Sequence, residues 1–421
     1  MSRALSTRLV CALIIGLLHS GVAIAADSER PTEITIEDAL HILQTESPRW
    51  AAERAQLGLT EADLIQAALL SNPSVNYNVL QLAKGANTGA ATTHQLTVEQ
   101  PVPLFGQRSA RIQAARAAQE SAKADLAARF AERARELHHA FVELLGAQEK
   151  QRLLADSLND LQHAEAIVRG RAAAGDRSKY DVLRVSLEAR ALDSEWASAD
   201  AQRLDAAGRI GEYLGRPGWQ PRARGDLTPI DKSQTAQRLW EYARSEHPQV
   251  IATHKRIAQT QALIYQAKRE RFPEVALQLG FMLTQAESSV SVFAGISTPL
   301  PLWNHQQGAT ARAHAAQTIA TQERHAILSE TESAIERTLA VSRGRHSAAA
   351  RLAHEVFARL PELRSMAEES YRQGKSGVVD LLDAFRSLKD LRQQYVEGIV
   401  AAEHAEVDLL YAAGITGSGL H

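Results

Sequence analysis

Pro299-Leu300-Pro301-Leu302-Trp303, and its earlier echo Pro101-Val102-Pro103-Leu104-Phe105, decide how this chain is read. Each stretch closes a run of period-two alternation and opens a long run of helical character. Ahead of the later one, Val275, Leu277, Leu279, Phe281 and Leu283 alternate with Ala276, Gln278, Gly280, Met282 and Thr284. Val290, Val292, Ala294 and Ile296 then alternate with Ser291, Phe293, Gly295 and Ser297. That pattern predicts a β-hairpin over about 275–301 with one apolar face and one small or polar face. Ahead of the earlier one, Val75, Tyr77 and Val79 alternate with Asn76, Asn78 and Leu80, and a second run covers Leu96 to Glu99. A Gly-, Ala-, Asn- and Thr-rich loop with its tip at Gly85–Gly89 joins them into a hairpin over about 75–103. Pro101 and Pro103 end the strand, because neither can donate to a ladder.

The echo extends through the chain. Pro48 returns as Pro248, Gln66-Ala67 as Gln266-Ala267, and Pro73 as Pro273, each at a spacing of 200. Gly175, Asp181 and Leu183 return as Gly374, Asp380 and Leu382 at a spacing of 199. This is an internal duplication with units at 26–225 and 226–421, each too long for a solenoid repeat and so each a whole architectural module.

Each unit begins with helical segments. Thr35 to Gln44 has helical spacing, and a second helical run from Arg49 to Leu70 is stopped by Asn72-Pro73. Beyond each hairpin lies a far longer helix. Gln107 to Ala174 contains no proline and would extend roughly 100 Å at helical rise. Its counterpart, Gln307 to Gln373, contains Pro361, which is expected to kink or break it. Return helices run from Ser178 to Leu214 and from Ser376 to Ala413, giving long helical hairpins at 107–214 and 307–413. The arm after Gln107 is crowded with alanine (Ala114, Ala115, Ala117, Ala118, Ala122, Ala124, Ala127 and Ala128). A soluble coiled coil would show a seam of large residues at alternate spacings of three and four. Broad alanine-rich flanks suit a helix in the wall of a cylinder, touching a neighbour on each side.

Arg3 and Arg8 precede the apolar run Leu9–Leu18, and Ala23-Ile24-Ala25 supplies a cleavage site, so residues 1–25 read as a signal peptide. The run is too short to span a bilayer. Its removal takes away two arginines and no acid, moving the formal charge from −2 to −4 and excluding a nucleic-acid partner. Cys11 is the sole cysteine and falls in this segment, so the mature chain forms no disulfide.

Four strands per chain cannot close a barrel, and open edges are not tolerated in hydrocarbon. Three copies would supply twelve strands, within the range of outer-membrane barrels. The expected fold class is therefore an α+β membrane protein: long helices forming a trimeric helical barrel, with two β-hairpins per chain completing a 12-stranded transmembrane β-barrel. The competing reading is a soluble periplasmic coiled-coil scaffold whose strands are buried in protein.

Signatures of catalysis are absent. The 15 histidines include no His-Glu-x-x-His spacing and read mostly as solvated helix-face residues; there is no glycine-rich phosphate loop and no nucleophile in a recognisable turn. No catalytic residue, cofactor or bound-metal site is expected.

The duplicated layout resembles the TolC family of outer-membrane efflux ducts. Ser297-Thr298-Pro299-Leu300-Pro301-Leu302-Trp303-Asn304 with Gln306-Gln307-Gly308 is similar to its CzcC-like heavy-metal branch. The resemblance implies a homotrimer in outer-membrane lipid of a Gram-negative envelope, with a periplasmic helical extension, a periplasmic membrane-fusion adaptor and an inner-membrane pump of the resistance-nodulation-division (RND) type. It implies passive conduction of divalent heavy-metal cations; a drug or secreted-polypeptide duct of the same build is the alternative. It also makes Asp380 and Asp383 candidates for acidic rings at the periplasmic aperture, with Tyr371 at a gate position where Ser376, beside Lys375, replaces the family's arginine. Such a ring would attract cations, whereas Asp380 read alone complements a helix dipole. The turns holding Arg171, Gly175, Asp176, Ser178 and Asp181, and Gly374, Lys375 and Ser376, are the implied adaptor-docking tips. Ser178 with Asp181 reads as a capping box.

Overall fold

A computed structural model of the chain describes residues 32–81, 92–174, 178–227, 235–284 and 289–416. Residues 1–25, read above as a signal peptide, and the expected loop tip at Gly85–Gly89 lie outside the described residues. The first half runs β1 (Glu33–Ile34), α1 (Ile36–Thr45), α2 (Pro48–Ala55), α3 (Leu57–Ala68), β2 (Ser74–Gln81), β3 (Thr92–Val102), α4 (Gln107–Ala173) and α5 (Lys179–Leu214). The second runs β4 (Arg222–Ala223), α6 (Ala236–Glu246), α7 (Pro248–Arg269), β5 (Val275–Thr284), β6 (Ser289–Ser297), α8 (Gln307–Arg351), α9 (Leu360–Arg372) and α10 (Val378–Ala412).

Local chemistry explains most of the boundaries. Thr35 caps α1 with a full capping box: its hydroxyl accepts from Asp38 N at 3.2 Å, and the Asp38 carboxylate accepts from Thr35 N at 3.0 Å. Pro48 and Pro248 open α2 and α7 in the first turn, where a missing N–H leaves no bond unmade. The single helix expected from Arg49 to Leu70 is instead two, broken at Gln56 beside Gly58, a poor helix former. Pro361 interrupts the second long arm as expected. A π-helical turn (Leu352–Val356) and a 3-10 turn (Phe357–Arg359) separate α8 from α9, which restarts with Pro361 in its first turn.

The long arms lie side by side. α4 packs on α5 and α10, and α10 packs on α8 and α9, so α5 and the α8/α9 arm form the two flanks. α4 and α10 approach closely at Gly146, where a Cβ would come within 2.5 Å of Val400. Toward the tips the contact carries large residues at heptad spacing: Leu154, Leu161 and Val168 on α4, Val185 and Leu192 on α5, Leu381 and Leu388 on α10. Nearer the sheet the buried positions of α4 are mostly small: Ala110, Ala114, Ser121 and Ala124, with Gln107 and Leu126.

The four long strands form one antiparallel sheet in the order β2-β3-β5-β6, so the two hairpins join through β3 and β5. β3 runs through Pro101 to Val102 rather than ending there. Its pairing with β2 stops at Ser74↔Glu99, so beyond Glu99 one side of β3 is open and a missing donor is tolerated.

The two faces of the sheet differ in crowding. On β5, Leu277, Leu279, Phe281 and Leu283 are all exposed, while Ala276 and Gly280 on the opposite face are buried. Thr97 joins the buried face at 7% exposure, whereas Val292 and Ile296 on the apolar face reach 75% and 74%. The polar face is the crowded one, so the sheet curls toward it and turns its apolar face outward. Among the described residues no helix is long and apolar enough to cross a membrane.

Candidate functional site

The helical tips and the inner face of the sheet are the two places where a conducting path would meet side chains. At the second tip, α9 ends as Gly374 takes a left-handed conformation (φ +73°), with Gly374 N donating to Tyr371 O at 3.0 Å and Lys375 N to Ser370 O at 3.0 Å. Lys375 is exposed and Ser376 partly so. α10 then starts with Asp380 at its third position, where the carboxylate accepts from Gly377 N at 2.8 Å. Asp380 is thus a helix-capping acid. Its side chain stays exposed, as does that of Asp383. One turn further on, Arg386 is held by both oxygens of Glu188 on α5, at 2.6 and 2.5 Å. This bidentate bond lowers the Glu188 pKa and raises that of Arg386.

Tyr371 lies in a different setting from an aperture lining. It is fully buried, at 0% exposure, within the core formed by α4, α5, α9 and α10. Arg171, in the last turn of α4, stacks on its ring at 5.4 Å and donates to its backbone oxygen. The two tips are therefore clasped together within one chain. Gly175 and Asp176 lie outside the described residues. Ser178 caps α5, but through Tyr180 N at 3.1 Å, so the box expected with Asp181 is replaced by a local serine turn.

Two features of the arms escaped sequence reasoning. Asp160 on α4 is nearly buried and meets two arginines, Arg364 of α9 through a short contact and Arg392 of α10 at 3.0 Å. Partners more than 200 residues apart leave no local signature. Most described histidines are exposed, as expected, but His138, His139 and His404 depart from that pattern. His139 Nδ1 lies 2.6 Å from His404 Nδ1 with the rings stacked, and His139 Nε2 lies 2.8 Å from the Asp408 carboxylate. Burial, and then the neighbouring His139, push the His138 pKa down to about 4. Among the described residues no group of three His, Cys, Asp or Glu side chains is placed to hold a metal ion.

The cross-strand register fixes the membership of each sheet face. Val75↔Val98, Tyr77↔Leu96, Leu96↔Phe281, Val98↔Leu279, Phe281↔Val292 and Leu277↔Ile296 are all outward pairs. Inward are Asn76↔Thr97, Thr97↔Gly280, Glu99↔Gln278, Gln95↔Met282 and Met282↔Ser291. An apolar convex face, a polar concave face and helical arms extending away define a channel-forming envelope protein, with its sheet in a membrane and its arms in water.

The chain belongs to the outer membrane efflux protein family, whose model matches residues 39–216 and again 239–414. It is 27% identical over 369 residues to the cobalt-zinc-cadmium resistance protein CzcC of Cupriavidus metallidurans, covering 86% of each chain. Its fold matches that of CusC, whose structures concern folding and transmembrane channel formation, with a TM-score of 0.70 at 16% identity over 90% of this chain and 92% of that one. It matches the outer membrane protein VceC of Vibrio cholerae with a TM-score of 0.70 at 15% identity, over 90% and 96%. The protein is an outer-membrane efflux channel component, and its family is one of transport proteins.

Proposed function

We propose that three copies of this chain close head to tail into a continuous duct that conducts divalent heavy-metal cations passively outward. A periplasmic membrane-fusion adaptor and an inner-membrane RND-type pump would deliver them and supply the free energy. The observation that carries the assembly is the strand order β2-β3-β5-β6. All three pairings are antiparallel, so β2 and β6 run in opposite directions and β6 of one copy can continue the ladder onto β2 of the next. Three such sheets give twelve strands with no free edge. The arms follow the same polarity, with a first-half helix on one flank and second-half helices on the other. Metal cations as cargo are supported by the likeness to a cobalt-zinc-cadmium resistance protein along most of both chains.

In this reading residues 1–25 are removed on export, and 26–225 and 226–421 are the two structural repeats. Asp380 and Asp383 line the periplasmic aperture, and Tyr371 holds its wall through Arg171 rather than touching the cargo. The turns with Arg171, Gly175, Asp176, Ser178, Asp181, Gly374, Lys375 and Ser376 receive the adaptor. Loss of the gene should sensitise cells to cobalt, zinc or cadmium, with tolerance restored by the intact gene. Sensitivity to hydrophobic drugs alone, or loss of a secreted polypeptide, would assign the duct to the other cargo.

A further inference from the structure

We infer that Glu99 gives the barrel lumen a cation preference of its own, separate from the acids at the periplasmic tip. The inference rests on the reading of the sheet as one third of a closed barrel. Among all residues of β2, β3, β5 and β6, Glu99 is the only one with a formal charge at neutral pH when histidine is counted neutral. Its strand neighbours Val98 and Gln100 point to the apolar face; Glu99 pairs across with Ser74 and Gln278 on the concave face. The rest of that face is neutral, built from residues such as Asn76, Asn78, Gln95, Thr97, Met282 and Ser291.

Nothing on the described strands compensates the charge. The one basic side chain on them, His94, lies on the outward face, bonded to the Tyr77 hydroxyl at 2.7 Å. Arg111 and Glu274, at the foot of the sheet, are paired with each other at 3.2 Å. Glu99 accepts from the Gln278 amide at 3.2 Å, a neutral donor that orients the carboxylate without cancelling it. Threefold symmetry would place three such carboxylates at one level of a low-dielectric wall, where like-signed fixed charges concentrate counter-ions and exclude co-ions. The effect is electrostatic and so acts at low salt, fading as the screening length falls from about 10 Å at 0.1 M to about 3 Å at 1 M.

The test is reversal potential in planar bilayers under a KCl gradient, with Asp380→Asn and Asp383→Asn present so that the tips add no charge. The expected cation-to-anion permeability ratio is several-fold above unity in that parent at low salt. Glu99→Gln, which keeps the shape and the bond to Gln278, should bring it to about one, and Glu99→Lys should invert it. Because Cys11 is the only cysteine in the sequence, Glu99→Cys in a Cys11→Ser background offers a single thiol. An anionic methanethiosulfonate should label it from the lumen and restore cation preference in the same pores. Pores of ordinary conductance whose ratio ignores all three changes would overturn the inference while leaving the duct intact. Absence of pores from the parent protein would overturn the duct reading and this inference with it.

Discussion

Gly106 and Gln306, 200 residues apart, occupy the same place in the two halves, and both carry left-handed backbone, with φ of +80° and +64°. Each is the residue on which the chain swings from sheet into a long helix. The surrounding bonds repeat as well: Phe105 N donates to the Gln107 side chain at 2.9 Å and His305 N to that of Gln307 at 3.0 Å. The duplicated junction is thus the same device made once with glycine and once with a strained glutamine.

That asymmetry predicts opposite effects of reciprocal substitutions. A Cβ at Gly106 would meet nothing closer than Ser109 Oγ at 3.6 Å, so backbone strain alone decides. Gly106→Gln should lower stability by about 1 kcal/mol, and Gln306→Gly should raise it by about 0.5 kcal/mol, since relief of strain exceeds glycine's entropic penalty. Denaturant midpoints in detergent would check both signs.

Asp380 is asked to do two things, and two substitutions separate them. Asp380→Ala removes the acceptor for Gly377 N and should destabilise the start of α10 by about 1 kcal/mol, seen as faster proteolysis at the tip. Asp380→Asn keeps an acceptor and loses only charge. It should leave proteolysis unchanged while reducing block of the pore by divalent cations.

Asp160 should be structural and costly to remove. Asp160→Ala would take away the carboxylate that Arg364 and Arg392 share, while Arg364 keeps Glu368 at 2.9 Å, and the expected loss is about 2 kcal/mol, measured by denaturant unfolding. A loss as small as that of an exposed pair would mean that water already compensates these charges.

The four-stranded, two-arm plan was legible because its signals are local: alternation along β5, proline at the strand-to-helix junctions, and landmarks recurring in register. Pro361 announced the break between α8 and α9, but the π-helical turn before it depends on packing over the neighbouring arm. The setting of Tyr371 was not legible, since its partner Arg171 lies 200 residues away and only the paired arms bring them together. The His139–His404 contact was missed for the same reason. Glu99 could have been found from sequence alone by counting charges on the alternating faces.

Stability should fall in mild acid. The His138 pKa is depressed from 6.5 to about 4 by burial, and burial lowers those of His404 and His247 too. The unfolded chain therefore binds protons that the folded one refuses. The contribution of His138 is fully present above about pH 6.5, declines as pH falls toward 4, and is flat below. The loss should be about 2 kcal/mol by pH ~5, and His138→Phe should flatten unfolding midpoints across that window.

Closure of the duct requires β6 of one copy to continue onto β2 of the next in a ring of three, and intermolecular cysteine cross-linking reads that join. With Cys11 replaced, a cysteine at Asn76 or Asn78 on the inner face of β2 would be paired in turn with one at Ser291, Phe293, Gly295 or Ser297 on β6. At least one register should yield covalent dimers and trimers in outer-membrane fractions, with no larger species. Absence of cross-links in every register, or a ladder running past the trimer, would contradict the closed barrel.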